Sequence, residues 1–167
     1  IEENSANGTS VTTVVASDVD AGQTLSYAIT AGNADGKFAI NTATGEITVA
    51  GALDFETLNS YALTVTVTDD GAGLLSDTAL ITISVTDAND APVANDGSGN
   101  VDENSANGVA VVPVIASDVD AGQTLSYAIT AGNTGSVFAI DSGTGAITVA
   151  GALDFETTSS YSLTVEV

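Results

Sequence analysis

The chain has 167 residues, of which 22 are Asp or Glu and one, Lys37, is basic, so its formal net charge is −21. Such a surface repels phosphate groups, which excludes nucleic acid as a partner and gives no reason to expect membrane contact. The lack of Cys and His removes disulfides, thiolate metal sites and the commonest general base.

Strands are predicted along the first 90 residues, because apolar side chains alternate there with Thr, Ser and Ala. This period of two is typical of half-buried antiparallel strands. Turn signals such as Asn7-Gly8, Thr44-Gly45 and Asp70-Gly71 separate the runs. The predicted strands are 1–3, 9–16, 24–31, 37–41, 46–50, 60–69 and 75–87. Seven short strands indicate an all-β, seven-stranded Greek-key sandwich of the immunoglobulin-like kind.

The alternation also predicts which side chains form the core. On the three longest strands, one face is aliphatic or aromatic and the other is rich in Thr. Residues of the same parity share a face, so the apolar set is expected to be buried. The predicted core residues are Leu25, Tyr27, Ile29, Leu63, Val65, Val67, Ile81, Ile83 and Val85.

The sequence repeats itself with an offset of 100 residues. Residues 16–33 return unchanged at 116–133, and 48 of the 67 positions compared between 1–67 and 101–167 are identical. We therefore expect two tandem sandwiches, repeat 1 over 1–92 and repeat 2 over 93–167. The second copy stops at the counterpart of Val67, so it lacks its last strand. Either the sequence is cut there, or another chain supplies the strand.

Acidic residues cluster in short motifs, which are "EEN", "SDVD", "LDFE", "TDD" and "DANDAP". On extended segments, Asp54 and Glu56 would point the same way, as would Asp18 and Asp20. Carboxylates that share a face repel each other unless a cation lies between them. Because calcium takes six to eight oxygen ligands and softer metals prefer Cys or His, the motifs favour calcium. For a single Asp in a turn, solvation and capping remain the ordinary explanation.

The ordered set of motifs resembles the cadherin repeat over the whole first copy and two thirds of the second. "ENSANGT", "ASDVDAG", "GEITVAGALDFE", "YALTVTVTD" and "DANDAP" follow one another as they do in that family. The resemblance implies two to three calcium ions at the inter-repeat junction, around a linker at 87–92. The implied ligands are Glu3, Asp54, Glu56, Asp87, Ala88, Asn89, Asp90, Ala91, Asp118 and Asp120, with Ala88 and Ala91 offering backbone carbonyls.

Two features depart from a complete pair of cadherin repeats. The segment after "SDVD" is short, so the carbonyl that would complete a third calcium site is not assigned. Other acids form half-sites toward neighbouring repeats, and we therefore expect the sequence to be internal to a longer array. The implied half-site residues are Asp18, Asp20, Asp69, Glu103, Asp154 and Glu156.

The resemblance implies a calcium-rigidified structural or adhesive module in a long extracellular, cell-surface adhesin. The acidic, Cys-free and nearly identical copies favour a bacterial adhesin. Expected partners are adjacent repeats of the same chain and homophilic or strand-donating copies. A calcium-dependent carbohydrate-binding sandwich is the alternative. An enzyme, such as a glycosidase using Asp54 and Glu56, is disfavoured because the aromatic residues that would stack on a sugar take core positions.

Overall fold

The computed structural model describes residues 1–20 and 22–167. The chain divides into two compact units, Ile1–Ala88 and Asn89–Val167. Both are all-β, as the sequence predicts, apart from one turn of 3₁₀ helix at Thr134–Ser136 in the second unit. No helix in the described residues is long and apolar enough to span a membrane.

The first unit is a sandwich of two three-stranded antiparallel sheets. One sheet has the order β1-β4-β3 and the other β2-β5-β6. The strands are β1 (Ser10–Thr13), β2 (Ser26–Ala31), β3 (Phe38–Ile40), β4 (Glu46–Val49), β5 (Ser60–Thr68) and β6 (Ser76–Ser84). The strand predicted at 1–3 is only an isolated parallel bridge between Glu2 and Thr86, because the chain turns directly after it.

The core of the first unit follows the predicted parity. Leu63 and Val65 on β5 are fully buried, and they face Ile47 and Val49 of the other sheet. Tyr27, Ile83 and Val85 are also buried, while Leu25, Ile29, Val67 and Ile81 pack against this core from its edge.

A glycine fixes one irregularity of the β2–β5 pair. The register shifts between Ile29 and Ala31, and Gly32 follows with φ of 83°. A Cβ atom at Gly32 would lie 1.9 Å from the carbonyl oxygen of Ala62, so no other residue fits there without moving the backbone.

The second unit repeats this plan, with shorter counterparts of β2 and β5. Its sheets are β11-β12-β8, β10-β13 and the pair β7-β9, so the segment after the linker joins the unit through β7. The predicted strand equivalent to 9–16 is split into two. The strands are β7 (Val93–Asn95), β8 (Ala110–Pro113), β9 (Ile115–Ser117), β10 (Ala128–Ala131), β11 (Phe138–Ile140), β12 (Ala146–Val149) and β13 (Thr164–Glu166).

The second unit also has the open side that the sequence predicts. In the first unit, β5 pairs with β6 over nine residues, whereas β13 has three residues and pairs only with β10 among the described residues. Tyr161, Leu163 and Val165 are half-buried, although their counterparts in the first unit are buried. They line a groove of about 640 Å³.

Candidate metal centre

Glu3 is a buried acid held by two backbone segments of the first unit. Its side chain is 3% exposed, and its position is fixed by the hydrogen bond from its own N–H to the carbonyl of Thr86. One carboxylate oxygen accepts the N–H of Phe55 at 2.6 Å, and the other accepts the N–H of Ala88 at 2.9 Å. These bonds offset the cost of burying a charge, and they join the "LDFE" motif to the start of the linker.

Asp54 and Glu56 lie in a turn rather than on an extended segment. The N–H of Leu58 donates to the carbonyl of Asp54, which closes residues 54–58 into a loop. The two oxygens of Asp54 accept the N–H and the hydroxyl of Thr57, each at 2.8 Å. The hydroxyl contact in particular lowers the pKa of Asp54 below its ordinary value. The extended geometry expected for this pair is therefore wrong, because the Asp54 side chain caps a turn by accepting hydrogen bonds from Thr57.

The two "SDVD" segments are also bent, although they were expected to be extended. In each unit the first Asp accepts the N–H of the second, at 2.8 Å from Asp20 to Asp18 and at 2.9 Å from Asp120 to Asp118. An Asp that caps the N–H two residues later forms an Asx turn, so these pairs are not extended either. In both repeats, the motif holds its two carboxylates in a bent loop.

Asp120 is a buried acid with a hydrogen-bond donor to only one of its two carboxylate oxygens among the described residues. Its side chain is 9% exposed, and one carboxylate oxygen, Oδ2, accepts the N–H of Asp90 at 2.7 Å. The other oxygen, Oδ1, is buried, and no donor among the described residues reaches it. A buried carboxylate oxygen without a donor is costly, so this atom has the character of a cation ligand.

The linker residues Asn89 and Asp90 are fastened to the second unit. Besides the bond from Asp90 to Asp120, the side-chain amide of Gln123 donates to Asn89 Oδ1 at 2.8 Å, and Asn89 Nδ2 donates to the carbonyl of Asp90 at 2.9 Å. Asp87 and Ala91 are exposed. Gln123 was not predicted as a site residue, since a neutral amide far from the linker in sequence gives no motif.

The acids assigned to outer half-sites are arranged in three different ways. Glu103, Asp154 and Glu156 each place an oxygen within 4.8 Å of the others, and all three are exposed. Asp18 and Asp20 are exposed as well. Asp69 is engaged in its own loop, where one oxygen accepts the N–H groups of Gly71 and Leu75, each at 3.0 Å.

The donor set suits calcium better than other metals. Every implied ligand is a carboxylate, an amide carbonyl or a backbone carbonyl, and the chain contains no Cys or His. Hard oxygen ligands of this kind, with several carboxylates among them, select calcium rather than zinc or copper. The buried Oδ1 atom of Asp120 is an observation of this structure that fits a bound cation.

Sandwiches of this size, repeated in tandem and carrying acids at a linker, define a class of extracellular calcium-dependent repeats. The sequence matches the Cadherin domain family over residues 1–86 and 98–167, and the chain belongs to the cadherin family. The match leaves out the whole linker, 87–92, and residues 93–97 after it.

Relatives and solved structures agree with this assignment. The chain is 40% identical to human Protocadherin Fat 4 over 172 residues, covering 99% of this chain and 4% of that protein. It is also 40% identical to the Drosophila melanogaster protocadherin-like wing polarity protein stan over 177 residues, covering 99% of this chain and 5% of that protein. The chain thus spans a small part of these relatives.

Two crystal structures show the same fold. Human Protocadherin-24 EC1-2 has a TM-score of 0.68 and 26% identity, covering 100% of this chain and 88% of that one. Mouse Cadherin-23 EC22-24 has a TM-score of 0.62 and 31% identity, covering 93% of this chain and 51% of that one.

Membership of the family confirms several predictions. Cadherin domains form the extracellular regions of cell-surface adhesion proteins, and the chain is an extracellular module of this kind rather than an enzyme. Domains of this family bind calcium, and the solved structure of Protocadherin gammaB7 EC3-6 is a cis-dimer. The number and position of ions in this chain are taken up below.

Proposed function

We propose that this chain is a calcium-rigidified spacer within a long extracellular array, and that two to three ions bind at the joint between its repeats. The observation that carries the proposal is the buried Asp120 Oδ1, which no donor in the described part of the chain satisfies. Such an atom beside the linker calls for a positive charge, and Asp120 is the second acid of the "SDVD" motif.

The proposed ligands come from the linker and from both repeats, taken as 1–92 and 93–167. We propose Glu3, Asp54 and Glu56 as the ligands from the first repeat, and Asp118 and Asp120 as those from the second. The linker contributes Asp87, Asp90, the amide oxygen of Asn89 and the carbonyls of Ala88 and Ala91. The bonds from Ala88 to Glu3 and from Asp90 to Asp120 support this proposal, because they tie the linker to an acid in each unit.

The charge balance gives the proposed mechanism. Seven carboxylates at one joint carry a charge of −7, from Glu3, Asp54, Glu56, Asp87, Asp90, Asp118 and Asp120. Calcium supplies compensating charge and six to eight coordination positions. Without it, the carboxylates repel one another and the linker moves. When the carboxylates of both repeats share common ions, they hold the joint stiff.

Small-angle scattering of the full chain tests this mechanism. We expect a narrow distribution of shapes with calcium and a broad one with a chelator. Exposed charges are screened over about 8 Å at physiological salt, so added sodium should weaken the repulsion in the chelated sample without restoring stiffness. A version extended by the counterpart of residues 68–87 should give the same result and excludes an effect of the open side of the second unit.

Matched variants make the experiment specific. Asp90→Ala combined with Asp120→Ala should leave the chain flexible even with calcium, whereas Asp20→Ala, in the identical loop of the first unit, should behave as the wild type. If the chelated wild type kept the same maximum dimension and spread of shapes, calcium would not be the stiffener. The spacer proposal would then lose its mechanism.

A strand-donating copy of this chain is a second proposal, and such a strand would bind in the groove beside β13. Residues 160–163 and 165, which line one side of the groove, are the counterparts of β5 residues that pair with β6 in the first unit. A peptide with the sequence of residues 75–87 should bind the chain, and one with its apolar residues replaced by Ser should not. Equal binding of both peptides would contradict the proposal. Adjacent repeats and homophilic copies are proposed partners as well.

The remaining predictions concern the source and the ligand. A bacterial adhesin remains a prediction, and the relatives described above are animal proteins. The carbohydrate-binding alternative draws no support from the aromatic side chains that sugar rings stack on. Of the eight in the sequence, all lying within the described residues, only Phe155 is exposed.

A further inference from the structure

The hydrogen bond between Gln123 and Asn89 controls how the linker presents its amide oxygen. Gln123 Nε2 donates to Asn89 Oδ1 at 2.8 Å, while Asn89 Nδ2 donates to the Asp90 carbonyl at 2.9 Å. The oxygen and the nitrogen of the Asn89 amide therefore each have a hydrogen-bond partner. The neighbouring bond from Asp90 to Asp120 holds the same stretch of linker against the same loop.

An Asn side chain can present either its oxygen or its nitrogen, and only the oxygen binds a cation. If the amide of Asn89 were flipped, its NH₂ group would face the NH₂ group of Gln123 and its oxygen would face the Asp90 carbonyl, so both hydrogen bonds would be lost. Gln123 therefore favours the orientation in which Oδ1 faces the loop. Because an amide oxygen has two lone pairs, Oδ1 can accept this bond and still bind an ion.

The identical loop of the first unit shows that this role depends on the linker. Residues 16–33 and 116–133 have the same sequence, so Gln23 is the counterpart of Gln123. Gln23 Nε2 instead donates to Asp20 Oδ2 over 3.4 Å, and its buried Oε1 has no partner among the described residues. The same glutamine thus has a specific linker partner in one loop and only a weak local one in the other.

We infer that Gln123 is a positioning residue, which orients Asn89 Oδ1 toward calcium without binding the ion itself. The inference rests on the proposed calcium site at the linker. Groups that orient a metal ligand commonly change affinity by about 10- to 100-fold. Since the Gln123–Asn89 bond is exposed to solvent, the lower end of this range applies, and loss of the donor should weaken one ion by about tenfold.

Calorimetric titration of the full chain with calcium tests the inference. Gln123→Met keeps the length of the side chain and removes its donor, and Gln23→Met is the matched control in the other loop. We expect Gln123→Met to weaken one binding step by about tenfold and Gln23→Met to leave the wild-type isotherm unchanged. Melting in chelator should be the same for both variants, which separates positioning from a general loss of stability.

A double-mutant cycle identifies the partner. If Gln123 acts through Asn89, then Asn89→Ala should abolish the effect of Gln123→Met, so the double variant should bind no more weakly than Asn89→Ala alone. Additive losses, or unchanged binding by Gln123→Met, would overturn the inference while leaving the calcium site in place. If the wild type bound no calcium, the proposed function itself would fail, and this inference with it.

Discussion

Glu3 and Glu103 stand at equivalent positions of the two repeats and have different surroundings. Glu3 is buried and accepts N–H groups from Phe55 and from Ala88, whereas Glu103 is exposed and accepts only that of Phe155 among the described residues. The bond that the two acids share comes from the "LDFE" turn. The bond that distinguishes them comes from Ala88 in the linker, and the 167 residues of this sequence contain no second copy of that residue.

The "SDVD" loops differ in the same way. Asp120 is buried and accepts the N–H of Asp90, while Asp20, in a loop of identical sequence, is exposed. The acidic motif alone therefore makes an open, solvated group of carboxylates. The linker backbone converts it into an enclosed one, which is the state in which a cation is needed.

The largest expected difference is between Glu3→Ala and Glu103→Ala. Removing Glu3 leaves two backbone donors without their charged acceptor, which should cost about 2 kcal/mol of unfolding free energy. Removing Glu103 should cost only about 0.5 kcal/mol, as for an ordinary surface change. Chemical denaturation in chelator, with hydrogen exchange to locate the affected repeat, measures both. Equal losses would contradict the special role of the linker.

A smaller and opposite effect is expected from Asp120→Asn. In chelator, loss of a buried charge should stabilise the second repeat by about 1 kcal/mol, since the neutral amide is cheaper to bury. The same change should remove most of the stabilisation that calcium gives. Thermal unfolding with and without calcium measures both signs, and Asp20→Asn serves as the control. If Asp120→Asn destabilised the chelated protein, the buried Oδ1 atom of Asp120 would not carry the energetic cost that we assign to it.

The smallest predicted effect is a rise in the pKa of one Asp in each repeat, and it should be equal in the two repeats. The Thr57 and Thr157 hydroxyls lower the pKa of Asp54 and Asp154 through hydrogen bonds inside each turn, at 2.8 and 2.9 Å. A carboxylate with a lowered pKa stabilises the fold above its unfolded pKa, and that contribution disappears as the pH falls through the folded pKa. Thr57→Val and Thr157→Val should raise the respective pKa values equally. NMR titration measures this, and unequal shifts would show that the linker reaches these turns.

The repeated pattern predicted the sandwich well, because strand faces follow from parity alone. Leu63 and Val65 are buried where the alternation placed them, and the half-buried Leu163 follows from the strand that the second copy lacks. The site was predicted only as a set of residues. Residues 54–56 were expected to be extended. They form a turn instead, because the Asp54 carboxylate accepts the N–H and the hydroxyl of Thr57.

The half-site assignment predicted that Glu103 and Asp20 lie apart from the linker 87–92, but the individual hydrogen bonds of Glu3 and Asp120 had no motif in the sequence. The donors to Glu3 and Asp120 are backbone N–H groups of Ala88 and Asp90, and every residue except Pro has such a group. Gln123 lies 34 residues from Asn89 in sequence, so the pair could not be read as a motif. Hydrogen bonds between residues far apart in sequence depend on which segments the fold brings together.

The central claim is that calcium binds where the linker encloses the acids. A crystal structure of the chain grown with calcium, with anomalous data that identify the ions, tests it most directly. We predict an anomalous peak about 2.3–2.6 Å from Asp120 Oδ1, the distance of a calcium–oxygen bond. Asn89 Oδ1 should lie at the same distance from a peak and still accept the amide of Gln123. Peaks confined to the exposed group of Glu103, Asp154 and Glu156, or none at all, would contradict the claim.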